Sequence, residues 1–177
     1  MVPEDVRPAA LRLPDARGTL DFLGFNYYGR IFLRFGFAGW RSWPALRCST
    51  RHHREVTERN ALEWDVHPPG IAQILRWSRP YQLPVLITEN GICTNDDAQR
   101  ERFILRHLAQ VARVIQEDVP VLGYLYWSLL DNFEWAEGYG PRFGLIEVDY
   151  ATQARRIRPS ARRFAEVCRT NQLDGAA

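Results

Sequence analysis

The stretch LPVLITENG, residues 83–91, ends a run of strand-forming apolar residues on the charged Glu89, followed at once by Asn90-Gly91. A strand that ends in a carboxylate and then turns sharply is how an α/β barrel presents a reactive group at its mouth. The same residues also read as the start of a polar turn. Two further clusters stand at corresponding places. Asn26-Tyr27-Tyr28 closes TLDFLGFNYY, and Trp127 through Trp135 closes VPVLGYLYWSLL and carries Glu134. Asn26 and Tyr28 are two residues apart, so they share one face of a strand. The structural alternatives are a strand end with satisfied aromatics and an aromatic-rich loop with Glu134 paired to Arg142.

The elements needed to position these clusters are strands alternating with helices. Strands are expected at 19–28, 84–88 and 119–130, the first nearly continuously apolar (Leu20, Phe22, Leu23, Phe25), as in a strand buried on both faces. Gly29 to about Val66 reads as a long polar and aromatic stretch, with FGFAGWRSWP and RHHREVTERN as loop. Ile71, Ile74, Leu75 and Trp77 lie at helical spacing behind Pro68-Pro69, where a first turn tolerates proline. The clearest helix is NDDAQRERFILRHLAQVARVIQED. Asn95 or Asp96 can cap it, and Ile104, Leu108, Val111 and Ile115 form its stripe. LIEVDY is a short extended piece, and a last helix, PSARRFAEVCRTN, carries Phe164, Val167 and Cys168 on one side. The alternation predicts parallel βαβ units with right-handed crossovers. No glycine-rich phosphate loop follows any strand, as an open dinucleotide-binding sheet would require. All three polar clusters fall at the C-terminal ends of strands, where a barrel carries its catalytic residues.

Composition narrows the classes. The chain has 177 residues, 46% hydrophobic and 12% aromatic with six Trp, enough for one domain with a sizeable core. Twenty-three basic residues, all Arg, face 21 acidic ones, a net charge of +2 that points to neither nucleic acid nor an anionic membrane surface. No segment reaches the ~18 consecutive apolar residues of a membrane helix. Residues 1–17, rich in proline and scattered charge, read as a loop or clipped helix without a signal-like apolar run. Cys48, Cys93 and Cys168 are widely spaced with no CxxC, which suits reduced thiols in a cytoplasmic protein. His52-His53 lacks further ligands at metal spacing and reads as an exposed loop, so neither metal nor cofactor is expected.

LDFLGFNYY, WDVHPPGI, LPVLITENG and GYLYWSLLDNFEWAEGYGPRFGLIEVDY occur in this order. Together they resemble the C-terminal part of glycoside hydrolase family 1, the β-glucosidase family, over residues 18–170. The resemblance implies an α/β fold that is a partial (β/α)8 TIM barrel, its last three strand–helix units in a single fragment. It further implies hydrolysis of β-glycosides with retention of configuration, by two carboxylates about 5–5.5 Å apart. By resemblance Glu89 is the nucleophile and Tyr28 the residue that orients it. Asn26 lines the sugar subsite, Trp127 offers its ring to the sugar, and Glu134 accepts from two sugar hydroxyls. Trp135 donates its indole N–H, and Phe143 closes the subsite. With Glu134-Trp135 present and no Lys, the implied sugar is an unphosphorylated glucoside, galactoside or fucoside, since Glu134 would repel a phosphate.

The departures matter equally. The helix before the third strand stops at Asp118, where the family usually has Gly, so Asp118 must take the turn at some strain cost. Gly140-Pro141 replaces a Ser-Lys type pair, with no evident effect. The Asn-Glu-Pro block that carries the family's acid/base is not found in this sequence. Strands one to five and half of the site are therefore expected from elsewhere. Three readings follow: part of a β-glycosidase active with a complementary N-terminal barrel half or by self-association, a non-catalytic sugar-binding module, or an inactive truncated gene product.

Overall fold

A computed structural model describes residues 18–35 and 45–173. The loop or clipped helix expected at 1–17, and nearly all of the FGFAGWRSWP loop, lie outside these residues. The described elements, in chain order, are β1 (Leu23–Tyr27), β2 (Leu33–Phe35), β3 (Ala45–Arg47), α1 (Pro68–Trp77) and β4 (Val85–Asn90). They continue with α2 (Asp97–Ile115), β5 (Val121–Tyr126), β6 (Ile146–Val148), β7 (Arg155–Ile157) and α3 (Pro159–Thr170). The main sheet has the order β1-β4-β5, both pairs parallel. It is open, not a closed barrel. β2–β3 and β6–β7 are separate antiparallel hairpins.

One face of the sheet packs under helices. Val85 and Ile87 of β4, both fully buried, meet Ile71 and Leu75 of α1 and Val111 and Val114 of α2. A second cluster joins Ile104 and Leu108 of α2 to Leu145 and Ala161, with Phe164 and Val167 against it. Among the described residues, no helix covers the opposite face. Gly24, where a side chain would meet the Thr88 methyl group, and Gly123, facing Leu86, mark it. Leu125 is 53% exposed there, and Leu122, beside the register shift after Val85, is 61% exposed.

Several expectations change. β1 starts at Leu23 and is only partly buried; Leu20 and Phe22 lie exposed before it, and among the described residues no strand pairs with its outer edge. β4 runs on through Asn90, so Glu89 sits within the strand and not past it. β5 ends at Tyr126: the Trp127 N–H still completes the β4–β5 ladder on the Asn90 carbonyl, and the next residue, Ser128, turns its N–H to the Phe143 carbonyl. Within the stretch expected as loop, β2 and β3 pair, and Thr50–His52 makes one helical turn. The α2 seam advances by three residues at its last step, so Val114 is buried and Ile115 is half-exposed. Trp77 and Cys168 also face outward.

Local chemistry sets the helix ends. The Asp96 carboxylate accepts from the Ala98 N–H at 3.0 Å as the α2 N-cap. Asp118 takes φ +62° at the stop after α2, in the left-handed region expected of it. Arg76 of α1 grips Glu117 through two hydrogen bonds, tying the same stop to the neighbouring helix.

α2 also buries His107 completely, its Nδ1 donating to the Phe103 carbonyl at 2.8 Å. Burial pushes its pKa down to about 3, and burial with the nearby Arg30 lowers that of His67. The unfolded chain binds these protons near pH 6.5, and the folded chain does not. Stability is therefore complete above that pH and is lost as pH falls through the window below it, by up to about 1.4 kcal/mol per unit for the buried His107 and by less for the more exposed His67. Urea midpoints at pH 7.5, 6 and 5 are expected to fall in that order and to fall less steeply in His107→Gln.

Candidate active site

The C-terminal ends of the three parallel strands converge on one buried amide. Asn90, fully buried, donates through Nδ2 to the Tyr27 carbonyl and accepts from the Tyr124 hydroxyl, each at 2.6 Å. Its own carbonyl accepts from the Trp127 N–H at 3.0 Å. A side chain at Gly91 would collide with the Trp127 carbonyl, so glycine is required where the chain passes beneath β5.

This clamp sets Glu89 opposite Asn26 in the β1–β4 register, next to a shift between Phe25 and Asn26. The Tyr28 hydroxyl then donates to Glu89 Oε2 at 2.6 Å. Burial, followed by that bond and by the charges of Glu89 and Glu134, raises the Tyr28 pKa well above its usual range. The phenol is thus a permanent donor to the carboxylate. Phe143, fully buried, meets the Tyr28 ring edge-on at 6.2 Å, and Trp64 does so at 5.9 Å. Trp64 was missed by sequence reasoning because it falls in the stretch expected as loop; the WDVHPPGI block is the signal that held it. Asn26 Oδ1 accepts from Thr88 Oγ1 at 2.6 Å on the open face of the sheet.

Glu134 and the aromatics around it ride on the segment after β5. The Glu134 N–H donates to the Gly138 carbonyl at 2.8 Å, and its Oε2 accepts from Asn132 Nδ2 at 3.1 Å. Trp135 follows at φ +47° and is 81% exposed. Among the described residues, the indoles of Trp127 and Trp135 make no hydrogen bond or ring contact, so the structure does not bring them against the other site residues. The pairing of Glu134 with Arg142 does not occur, because Arg142 is drawn to Asp131 at 3.2 Å and to the Val148 carbonyl at 3.0 Å.

Asp131 holds this segment down. Its side chain is fully buried and accepts from Gly144 N–H at 2.9 Å, Val148 N–H at 3.2 Å, Arg142 and both terminal nitrogens of Arg158. Burial alone would raise its pKa, but Arg158 and the two backbone donors outweigh burial and hold it below the ordinary range. Arg100, also fully buried, donates to the carbonyls of Thr94 and Arg142, joining the loop after β4 to the same segment.

Residues 10–173 match the sequence profile of glycosyl hydrolase family 1. The chain belongs to glycosyl hydrolase family 1. Among its family 1 relatives is a beta-galactosidase of Sulfolobus acidocaldarius, 39% identical over 173 residues, spanning 90% of this chain and 33% of the relative. Beta-glucosidase A of Thermotoga maritima is 36% identical, spanning 92% of this chain and 37% of the relative. Among solved structures, a beta-glycosidase from Pyrococcus horikoshii superposes with TM-score 0.79 at 40% identity. The Thermotoga maritima beta-glucosidase in complex with glucoimidazole does so with TM-score 0.77 at 36% identity. Each superposition covers 87% of this chain and 36% of the other. This family 1 chain thus spans about a third of the length of the relatives it matches, and its open sheet is consistent with a partial barrel.

Asp131→Asn keeps the shape of the anchor but leaves the Arg158 charge uncompensated. We expect a loss of about 3–5 kcal/mol in unfolding free energy, read by urea denaturation at neutral pH.

Proposed function

We propose that this chain supplies the nucleophile-bearing part of a retaining β-glycosidase and corresponds to the last three strand–helix units of the barrel. The observation that carries the reading is the 2.6 Å bond from Tyr28 to Glu89, at the common ends of adjacent parallel strands. In the first step a Glu89 carboxylate oxygen bonds to the anomeric carbon as the glycosidic C–O bond breaks. The departing aglycone oxygen takes a proton from an acid outside this chain. Water then attacks the glycosyl ester, gives up a proton to the same group, and frees Glu89 with net retention. Tyr28 orients the nucleophile by donating its hydroxyl proton to Glu89 Oε2.

Asn26, Trp127, Glu134, Trp135 and Phe143 form the part of the sugar subsite that belongs to this chain. The substrate is an unphosphorylated β-glucoside, galactoside or fucoside, because no Lys offsets the charge of Glu134. Among the described residues, the sheet face opposite the helices is uncovered and the outer edges of β1 and β5 are unpaired, which suits a complementary barrel half, on the same polypeptide or on another. The free cysteines suit a reducing compartment such as the cytoplasm.

The test is hydrolysis of a chromogenic aryl β-glucoside by the chain alone and together with the preceding barrel region of the Thermotoga maritima relative. Turnover is expected only for the pair. It should fall by roughly 10⁴-fold or more in Glu89→Gln and roughly 10- to 100-fold in Tyr28→Phe. Sugar binding by the chain alone without turnover in any combination would favour the non-catalytic module. Turnover that survives Glu89→Gln would reject the assignment.

A further inference from the structure

Glu134 has no cationic partner among the described residues, although Arg142 lies eight positions on. Its one side-chain hydrogen bond comes from a neutral amide, Asn132 Nδ2, to Oε2 at 3.1 Å. We propose that Asn132 is the positioning residue that aims the Glu134 carboxylate at the sugar. This rests on the reading of Glu134 as a sugar-binding group.

Three observations fix Asn132 in that role. Its backbone is anchored on both sides: Asp131, the preceding residue, is the buried hub of the segment, and the Tyr150 hydroxyl donates to the Asn132 carbonyl at 3.2 Å. Tyr150 is itself held under the Arg142 guanidinium, 4.5 Å from its ring centroid. The amide cannot turn over freely, because a carboxylate can only accept, so Nδ2 must face Glu134 and Oδ1 must face Ser128. The Ser128 hydroxyl lies 3.1 Å from that Oδ1 and 2.6 Å from the Leu130 carbonyl, and its single proton is shared between two acceptors.

The chemistry explains the choice of amide. An arginine in the same place would orient the carboxylate but also cancel its charge and occupy both oxygens. A neutral donor on Oε2 sets the direction and leaves Oε1 and the full negative charge for sugar hydroxyls. Arg142 is prevented from supplying that cancellation by its commitment to Asp131 and the Val148 carbonyl. Asp131 and Asn132 thus divide two tasks between adjacent residues, one anchoring the segment and the other aiming its carboxylate.

The test uses Asn132→Asp, which keeps volume and removes the donor, beside Asn132→Ala, Glu134→Gln and Ser128→Ala. In the complemented enzyme, Asn132→Asp should raise KM for the aryl glucoside about tenfold or more while kcat changes less. Glu134→Gln should raise it at least as much, and the Asn132 and Glu134 substitutions combined should cost no more than the larger alone. In the full chain labelled with ¹⁵N-asparagine, the Asn132 side-chain amide resonances should move in Glu134→Gln, with the thermal midpoint unchanged, and should move in Ser128→Ala. A KM unchanged in Asn132→Asp while Glu134→Gln raises it overturns the positioning role and leaves the sugar-binding reading intact. Amide resonances that move while Glu134→Gln leaves KM unchanged uphold the contact and reject Glu134 as a sugar ligand. Amide resonances that do not respond to Glu134→Gln overturn the proposal directly.

Discussion

The buried amide of Asn90 is the contact on which the site geometry depends. Three parallel strands bring their C-terminal ends together only approximately, because pairing fixes register along each pair and both pairs carry a shift near these ends. Asn90 ties β1 through the Tyr27 carbonyl and β5 through the Tyr124 hydroxyl, while its backbone receives Trp127. In an apolar interior, none of these groups has water as an alternative, so each contact must be made. Glu89 precedes Asn90 by one residue, and the alternation of the strand turns its side chain to the other face, toward Tyr28.

The second level of support is electrostatic. The segment after β5 has little regular structure, yet it carries Trp127, Glu134, Trp135 and Phe143. Regular pairing cannot hold such a segment, so a buried carboxylate does: Asp131 gathers two backbone N–H groups and two guanidinium groups. A buried charge of this kind tolerates only the full partner set. That commitment also keeps Arg142 away from Glu134. The helical side of the sheet is packed like any α/β core, and among the described residues nothing covers the opposite face or pairs with either edge. The chain spans about a third of the length of its relatives, and its strand ends already meet around Asn90 within that third.

The fold class was legible because buried parallel strands and amphipathic helices leave periodic traces. The α2 cap at Asp96 and the strained stop at Asp118 were legible for local reasons, through an N-cap side chain and a missing glycine. The edges of elements were not. Whether β1 was covered on two sides depended on neighbouring strands that its own apolar run could not reveal, and the chain leaves β5 where the Ser128 N–H turns to the Phe143 carbonyl. Of the candidate site, Tyr28 bonds to Glu89 and meets the Phe143 ring. Trp64 and Asp131 escaped notice, because their importance comes from contacts 36 and 27 residues away in sequence, with Tyr28 and Arg158. The exclusion of Arg142 from Glu134 is equally a tertiary matter, decided by a competing carboxylate.

The most direct measurement of the central claim is covalent trapping of the nucleophile. A 2-fluoro-β-glucosyl fluoride carries a leaving group that needs little acid assistance and slows release of the glycosyl ester. It would be incubated with this chain and the complementary barrel region, and peptides would be mapped by mass spectrometry. The account predicts one added fluoroglucosyl group on Glu89, absent in Glu89→Gln and slower to form in Tyr28→Phe. A label on any other carboxylate, Glu134 included, would contradict it.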